Sequence, residues 1–103
     1  MNFRMDDYGT IFWLTEKSLP VKSELENLLL EHDIIEINFE NVTQITPSCA
    51  AMIFSPLVES LGVSEFKRRI IFNNIDEEVL HIIRYAVNSR IKFLKDSGKQ
   101  IKK

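Results

Sequence analysis

The hydrophobic and polar positions of the chain change their period near its middle. In residues 35–40, Ile35, Ile37 and Phe39 alternate with polar residues, which is the two-residue period of a strand with one covered face. Further on, the apolar positions recur every three or four residues, as in a helix with one buried stripe: Ala50, Ile53, Phe54, Leu57, Val58 and Leu61. The polar loop between them, residues 41–47, would join a strand to a helix, the place where open α/β sheets meet their ligands.

The N-terminal third predicts a hairpin and a helix. Residues 2–5 and 10–14 are short β-forming segments separated by the turn residues Asp6, Asp7 and Gly9, so we expect them to pair with each other. Residues 15–20 would be a loop that ends with Pro20 in the first turn of a helix. That helix would end near Glu31 and bury one stripe: Val21, Leu25, Leu28 and Leu29.

The C-terminal half predicts one more strand and a long helix. Pro56 would kink or end the central helix, and Gly62 would stop it. Residues 63–69 would be a connection, followed by a buried inner strand at residues 70–72. Asp76 would cap the last helix, whose buried stripe is Val79, Ile82, Ile83, Ala86, Val87 and Ile91.

The predicted order is therefore β-β-α-β-α-β-α, an α/β fold with a small mixed sheet and helices packed mainly on one face. With 103 residues, 45% of them hydrophobic, the chain is expected to form one domain, residues 1–95, with a flexible basic tail at 96–103. One core is expected to be shared by Ile37, Phe39, Phe54, Leu57, Ile71, Ile83 and Val87.

Composition narrows the chemistry. A single cysteine, Cys49, excludes an internal disulfide and a cysteine-based zinc site. His32 and His81 are isolated, so neither a metal nor a cofactor is expected. No apolar run approaches the ~20 residues of a membrane span, and the N-terminus lacks the apolar core of a signal peptide. These features favour a cytoplasmic protein that does not enter a membrane, and they leave its oligomeric state open.

The net charge of −2 is unevenly distributed. Residues 1–83 hold 6 Lys or Arg against 14 Asp or Glu, whereas residues 84–103 hold 7 Lys or Arg against Asp96 alone. The basic end would be either a solvated helix end with its tail, or a patch for an acidic protein, nucleic acid or anionic lipid. Since no aromatic residue other than Phe93 is interleaved with the lysines of this end, nucleic-acid binding is not favoured.

Residues 37–50, with the sequence INFENVTQITPSCA, resemble the signature of STAS-like domains of the DUF4325 type. The strand with Asn73 and Asn74 and the helix through Arg90 match the same pattern, so the resemblance covers residues 9–94. The chain is more distantly similar to the STAS domains of anti-sigma-factor antagonists. The resemblance implies a bacterial, non-enzymatic α/β domain that acts in signalling or regulation by binding a protein such as a histidine-kinase-like ATPase.

The antagonists carry an Asp-Ser-Ser-Gly motif at the start of the helix. Thr46 stands at the position of its Asp, Pro47 at that of the usually phosphorylated serine, and Ser48 at that of the second serine. Many DUF4325-type helices carry an acidic pair where this chain has Ala51 and Met52.

Two roles are open for the hydroxyls of Thr46 and Ser48. Either could cap the central helix by accepting a hydrogen bond from its first turn, or serve as a phosphorylation or partner site, since a helix N-terminus offers free N–H groups to a phosphate. The candidate partner surface comprises Gln44, Thr46 and Ser48, together with the exposed side of the following helix near Ala51, Met52 and Ser55.

Cys49 carries an alternative from another functional class. Helix N-termini can activate a thiol as a nucleophile, which would make the chain a small enzyme. The other interpretation is a small buried hydrophobic residue, because the family pattern has phenylalanine at this position.

Overall fold

The computed structural model describes residues 1–97, which form an α/β fold as predicted, with 65% of these residues in helices. The elements are β1 (Asn2–Arg4), β2 (Ile11–Phe12), α1 (Thr15–Glu31), β3 (Ile35–Asn38), β4 (Gln44–Ile45), α2 (Pro47–Leu61), α3 (Val63–Arg69), β5 (Ile70–Asn73) and α4 (Glu77–Ser97). A short 3-10 turn, Met5–Asp7, follows β1.

The strands form two parallel sheets, one of order β1-β3-β5 and one of order β2-β4. The predicted hairpin and the predicted single mixed sheet are therefore wrong, because β1 pairs with β3 and β2 pairs with β4, and all strand pairs in residues 1–97 are parallel. Residues 5–10 separate β1 from β2, and Met5 is completely buried at the start of this connection. Because the buried Met5 side chain holds the backbone in the core, the chain does not reverse tightly here but continues into the second sheet.

The three-stranded sheet buries one face and leaves the other polar. In the observed register, Phe3, Ile37 and Phe72 are aligned on the core side. Helices α1, α2 and α4 contribute further residues to the same core, so the helices lie mainly on one face as predicted. The outer face consists of Asn2, Arg4, Glu36, Asn38, Ile71 and Asn73.

The position of β5 corrects two predictions. β3 is the inner strand and β5 lies at the edge of the sheet. Ile71 pairs with Glu36 on the outer face and remains 38% exposed, so it does not belong to the core. A run of three apolar residues cannot reveal which of them points outward, because that depends on the pairing register. The other expected core residues are buried: Ile37, Phe39, Phe54, Leu57, Ile83 and Val87.

Helix α2 is the centre of the core and packs against both α1 and α4. Phe54 on α2 is fully buried and meets the ring of Phe72 edge-to-face at 5.6 Å. The helix does not end at Pro56 but continues to Leu61. Burial of residues on both sides of Pro56 offsets the hydrogen bond that the proline removes. Gly62, at φ 85°, ends the helix as predicted.

Two predicted loops are helical. Helix α1 begins at Thr15, well before Pro20, because Ser18 and Val21 are already buried in its first turns. The predicted connection 63–69 is helix α3, which buries Phe66. Its three cations, Lys67 to Arg69, occupy the last turn, where the helix dipole favours positive charge.

Helix α4 begins after Asp76, whose carboxylate accepts a hydrogen bond from the N–H of Glu78 at 3.0 Å, as the predicted cap requires. It extends to Ser97, so residues 96 and 97 of the predicted tail belong to the helix. Residues 98–103 lie outside the described residues, and the domain boundary at residue 95 stays a prediction.

Within the described residues no single helix is long and apolar enough to cross a membrane. Helices α2 and α3 reach that length and composition only when counted together, and they are bent by 115° relative to each other.

Candidate functional site

The segment between β3 and α2 is fixed rather than loose. Val42 and Ile45 are buried, and β4 pairs with β2. The N–H of Thr43 donates to the carbonyl of Thr10 at 2.9 Å, and the N–H of Thr46 donates to that of Phe12 at 3.0 Å. The predicted loop therefore contains a short strand, which positions the start of α2.

The two candidate hydroxyls at the start of α2 have different surroundings. The hydroxyl oxygen of Thr46 accepts a hydrogen bond from the N–H of Cys49 at 3.2 Å, which makes Thr46 the N-cap. Pro47 follows at the first helical position, where its missing N–H costs no hydrogen bond. Ser48 is exposed. The capping prediction is confirmed for Thr46, and Ser48 is the hydroxyl that reaches the surface.

A cleft of about 320 Å³ lies on the β4 side of this junction, and β4, α4 and Trp13 line it. The indole Nε1 of Trp13 donates to Oε1 of Gln44 at 2.8 Å, and the Trp13 side chain is 59% exposed. The hydrogen bond fixes an exposed aromatic ring beside the start of α2.

A groove of about 540 Å³ lies between α2 and α4. Small side chains make up much of its lining: Ser48, Ala51, Ser55, Ala86 and Ser89. Two aromatic side chains stand on its α4 side, Tyr85 at 65% exposure and Phe93 at 58%.

Arg90 lines this groove and connects the two helices. Its guanidinium lies 5.4 Å from the centre of the Phe93 ring, and its Nη1 donates to Oε2 of Glu59 at 2.7 Å. Arg90 thus joins α4 to α2 along the groove.

A family model described as a STAS-like domain of unknown function (DUF4325) matches residues 20–80, more than half of the chain. The chain belongs to the DUF4325 family. No curated protein and no solved structure matches it. The matched region includes β4 and all of α2, but it leaves out the exposed aromatic residues Trp13, Tyr85 and Phe93.

The DUF4325 domain brings most of the predicted partner residues to one end of α2. Gln44 and Thr46 line the cleft, whereas Ser48, Ala51 and Ser55 line the groove. Ser55 is only 3% exposed, because α4 packs against that side of α2, so its predicted place on the exposed side is wrong. Met52 is half-buried and lines neither cavity.

The contribution of α4 to the site of this DUF4325 domain was missed by sequence reasoning. Tyr85 and Phe93 were visible as aromatic residues outside the buried stripe of α4. A large apolar residue on an otherwise polar helix face is the signal that could have indicated them. The packing of α4 beside α2, which places these two residues along one side of a groove, could not be predicted from the sequence.

Two observations in the described part of the DUF4325 domain concern the alternative chemistries, a cysteine nucleophile and a metal site. Cys49 is completely buried, as the prediction of a small hydrophobic residue requires. Residues 1–97 contain no group of three His, Cys, Asp or Glu side chains that could hold a metal ion.

Two of the three cations at residues 67–69 have structural partners. Arg68 binds the carboxylate of Asp33 at 2.9 and 3.0 Å and that of Glu65 at 2.7 Å. These hydrogen bonds hold the pKa values of both carboxyl groups below their usual range. Arg69 donates to three backbone carbonyls at the end of α1, those of Leu29, His32 and Asp33, at 2.7 to 3.0 Å.

Proposed function

We propose that this STAS-like domain is a non-enzymatic regulatory module that binds another protein. Its contact area would be the junction surface, which we define as Gln44, Thr46, Ser48, Ala51 and Met52. The observation that supports the proposal most is the set of exposed aromatic side chains that line the cleft and the groove: Trp13, Tyr85 and Phe93. Exposed aromatic residues beside small cavities are typical anchors of protein interfaces.

The rigidity of the junction surface also favours a binding role. Strand pairing between β2 and β4 and the Thr46 cap fix its backbone, so little ordering would be needed when a partner binds. The family resemblance suggests a histidine-kinase-like ATPase in the cytoplasm as the partner. Ser48 is the proposed modification site, because its hydroxyl is exposed whereas that of Thr46 is engaged in the cap.

The first test replaces Ser48 by Asp. A carboxylate at the second position of α2 is compatible with the positive end of the helix dipole, so the melting temperature should stay close to that of the wild type. At a protein interface the charge must lose water, so affinity for a partner captured by pull-down should fall roughly tenfold or more. Ser64→Asp is the matched control, since Ser64 is exposed at the second position of α3.

The second variant, Met52→Glu, tests the outer side of α2. We expect it to weaken partner binding while Leu30→Glu, at a site that is 84% exposed on α1, has no such effect. Isothermal titration calorimetry gives the affinities, and thermal melts confirm that each variant is folded. Binding as tight as that of the wild type in both Ser48→Asp and Met52→Glu would show that the junction surface is not the partner site.

A further inference from the structure

The surface around the α2–α4 groove carries positive charge in a protein whose net charge is −2. The residues that line the groove include Arg90 and no carboxylate. A shallow depression on the outer side of α4 is lined by His81, Arg84, Tyr85, Asn88, Ser89 and Lys92, again without a carboxylate. Because both share Tyr85 and Ser89, they form one continuous surface.

The cations of this surface differ in how far they are already neutralised. Arg90 is paired with Glu59 at 2.7 Å. Arg84 and Lys92 are exposed, and within residues 1–97 neither takes part in an ion pair at 4 Å or less. Their charges are therefore available to carboxylates of a binding partner.

The shape of the groove suits a single bulky side chain. Serine and alanine residues make up much of its lining, and the exposed rings of Tyr85 and Phe93 line its α4 side. These two aromatic residues are eight positions apart on α4, which corresponds to roughly 12 Å along the helix axis. A leucine or phenylalanine from a partner could pack between them and cover the small residues below.

We propose that the α2–α4 groove binds an acidic amphipathic segment of a partner protein. The segment would insert a bulky apolar side chain between Tyr85 and Phe93 and place carboxylates against Arg84 and Lys92. This inference rests on the proposed function and specifies the chemistry of the partner. Nucleic acid fits less well, because two unpaired cations and one paired cation neutralise few phosphates.

A peptide selection tests this chemistry without knowledge of the natural partner. The full chain would be immobilised and exposed to phage that display random 16-residue peptides. The expected result is enrichment of peptides that are net acidic and carry at least one bulky apolar residue such as leucine or phenylalanine. Enrichment of basic or uncharged peptides, or no enrichment, would overturn the proposal.

Substitutions then locate the binding site of the selected peptides. Ser89→Trp places a large ring in the groove from an exposed position on α4, and it should abolish peptide binding. Arg84→Glu and Lys92→Glu should each weaken binding roughly twofold to tenfold, as expected for exposed charge pairs. Lys67→Glu is the control, because it makes the same charge change on α3 at an exposed site.

Two further results would count against the groove. The first is an unchanged affinity of the acidic peptides for Ser89→Trp and for Lys92→Glu, when circular dichroism shows that both variants are folded. In that case the peptides bind elsewhere. A 12-nucleotide single-stranded DNA that binds more tightly than the selected peptides would assign the surface to nucleic acid instead.

The natural partner from the pull-down separates this proposal from the proposed function. If Ser48→Asp weakens its binding but Ser89→Trp and Lys92→Glu do not, the junction surface stands and the groove proposal fails. If none of these variants, Met52→Glu included, changes binding, both proposals fail.

Discussion

The two hydroxyl residues at the start of α2 have different roles, one in capping the helix and one at the surface. Thr46 caps the helix, whereas Ser48, two positions later, is exposed. Sequence reasoning could place both hydroxyls at the helix start but could not decide between them. The decision depends on the extended backbone of Thr46, at φ −85° and ψ 157°, which directs its hydroxyl towards the N–H of Cys49.

Substitutions of these two residues should therefore affect stability differently. Thr46→Ala removes the cap and should lower the free energy of unfolding by ~1 kcal/mol, whereas Thr46→Ser should keep most of it. Ser48→Ala should change stability by less than ~0.5 kcal/mol, as is usual at exposed sites. Urea unfolding followed by circular dichroism measures all three, and equal losses for Thr46→Ala and Ser48→Ala would contradict the assignment of the cap.

At the scale of elements, β3, α2 and α4 were predictable because each shows a clear two-residue or three-to-four-residue period. The elements that were missed are short: β4 has two residues and α3 has seven. A pattern needs several repeats to be recognised. The groove was missed for a different reason, since it exists only where two helices pack together.

The two arginines of α3 show how a short helix is held in place. Arg69 caps the end of α1 through three carbonyls, and Arg68 binds Asp33 just beyond that end. In the sequence, Lys67, Arg68 and Arg69 form a run of three cations with no visible partners. Once the neighbouring end of α1 is in view, two of the three cations have a structural explanation.

The Arg68 contacts predict a pH-dependent stability. The pKa values of Asp33 and Glu65 are lowered in the folded protein, so their contribution is fully present above the unfolded pKa values and is lost as the pH falls through the folded ones. Arg68→Gln should lower the melting temperature near pH 7, and this effect should shrink as the pH is lowered towards about 2 and the carboxyl groups become protonated. Thermal melts across this range test the prediction, and a difference between wild type and variant that does not shrink with acid would refute it.

At the scale of the whole molecule, one core joins the sheet and the helices, with Phe54 near its centre. The Phe54 ring is fully buried and meets Phe72 edge-to-face. Phe54→Ala should reduce the free energy of unfolding by ~3–5 kcal/mol, a large part of the stability of so small a domain. Leu30→Ala, at an 84% exposed position, is the control in thermal melts, and an unchanged melting temperature in Phe54→Ala would show that this core is wrongly described.

The parallel strand pairing has a consequence for how quickly the chain can fold. In residues 1–97 the paired strands join residues 33 to 35 positions apart, and no hairpin brings neighbouring segments together. Long loops must therefore close before any strand finds its partner. Domains dominated by such distant contacts fold more slowly than helical bundles of the same size. Although the molecule is 65% helical, its refolding rate should thus be limited by the pairing of its few strands.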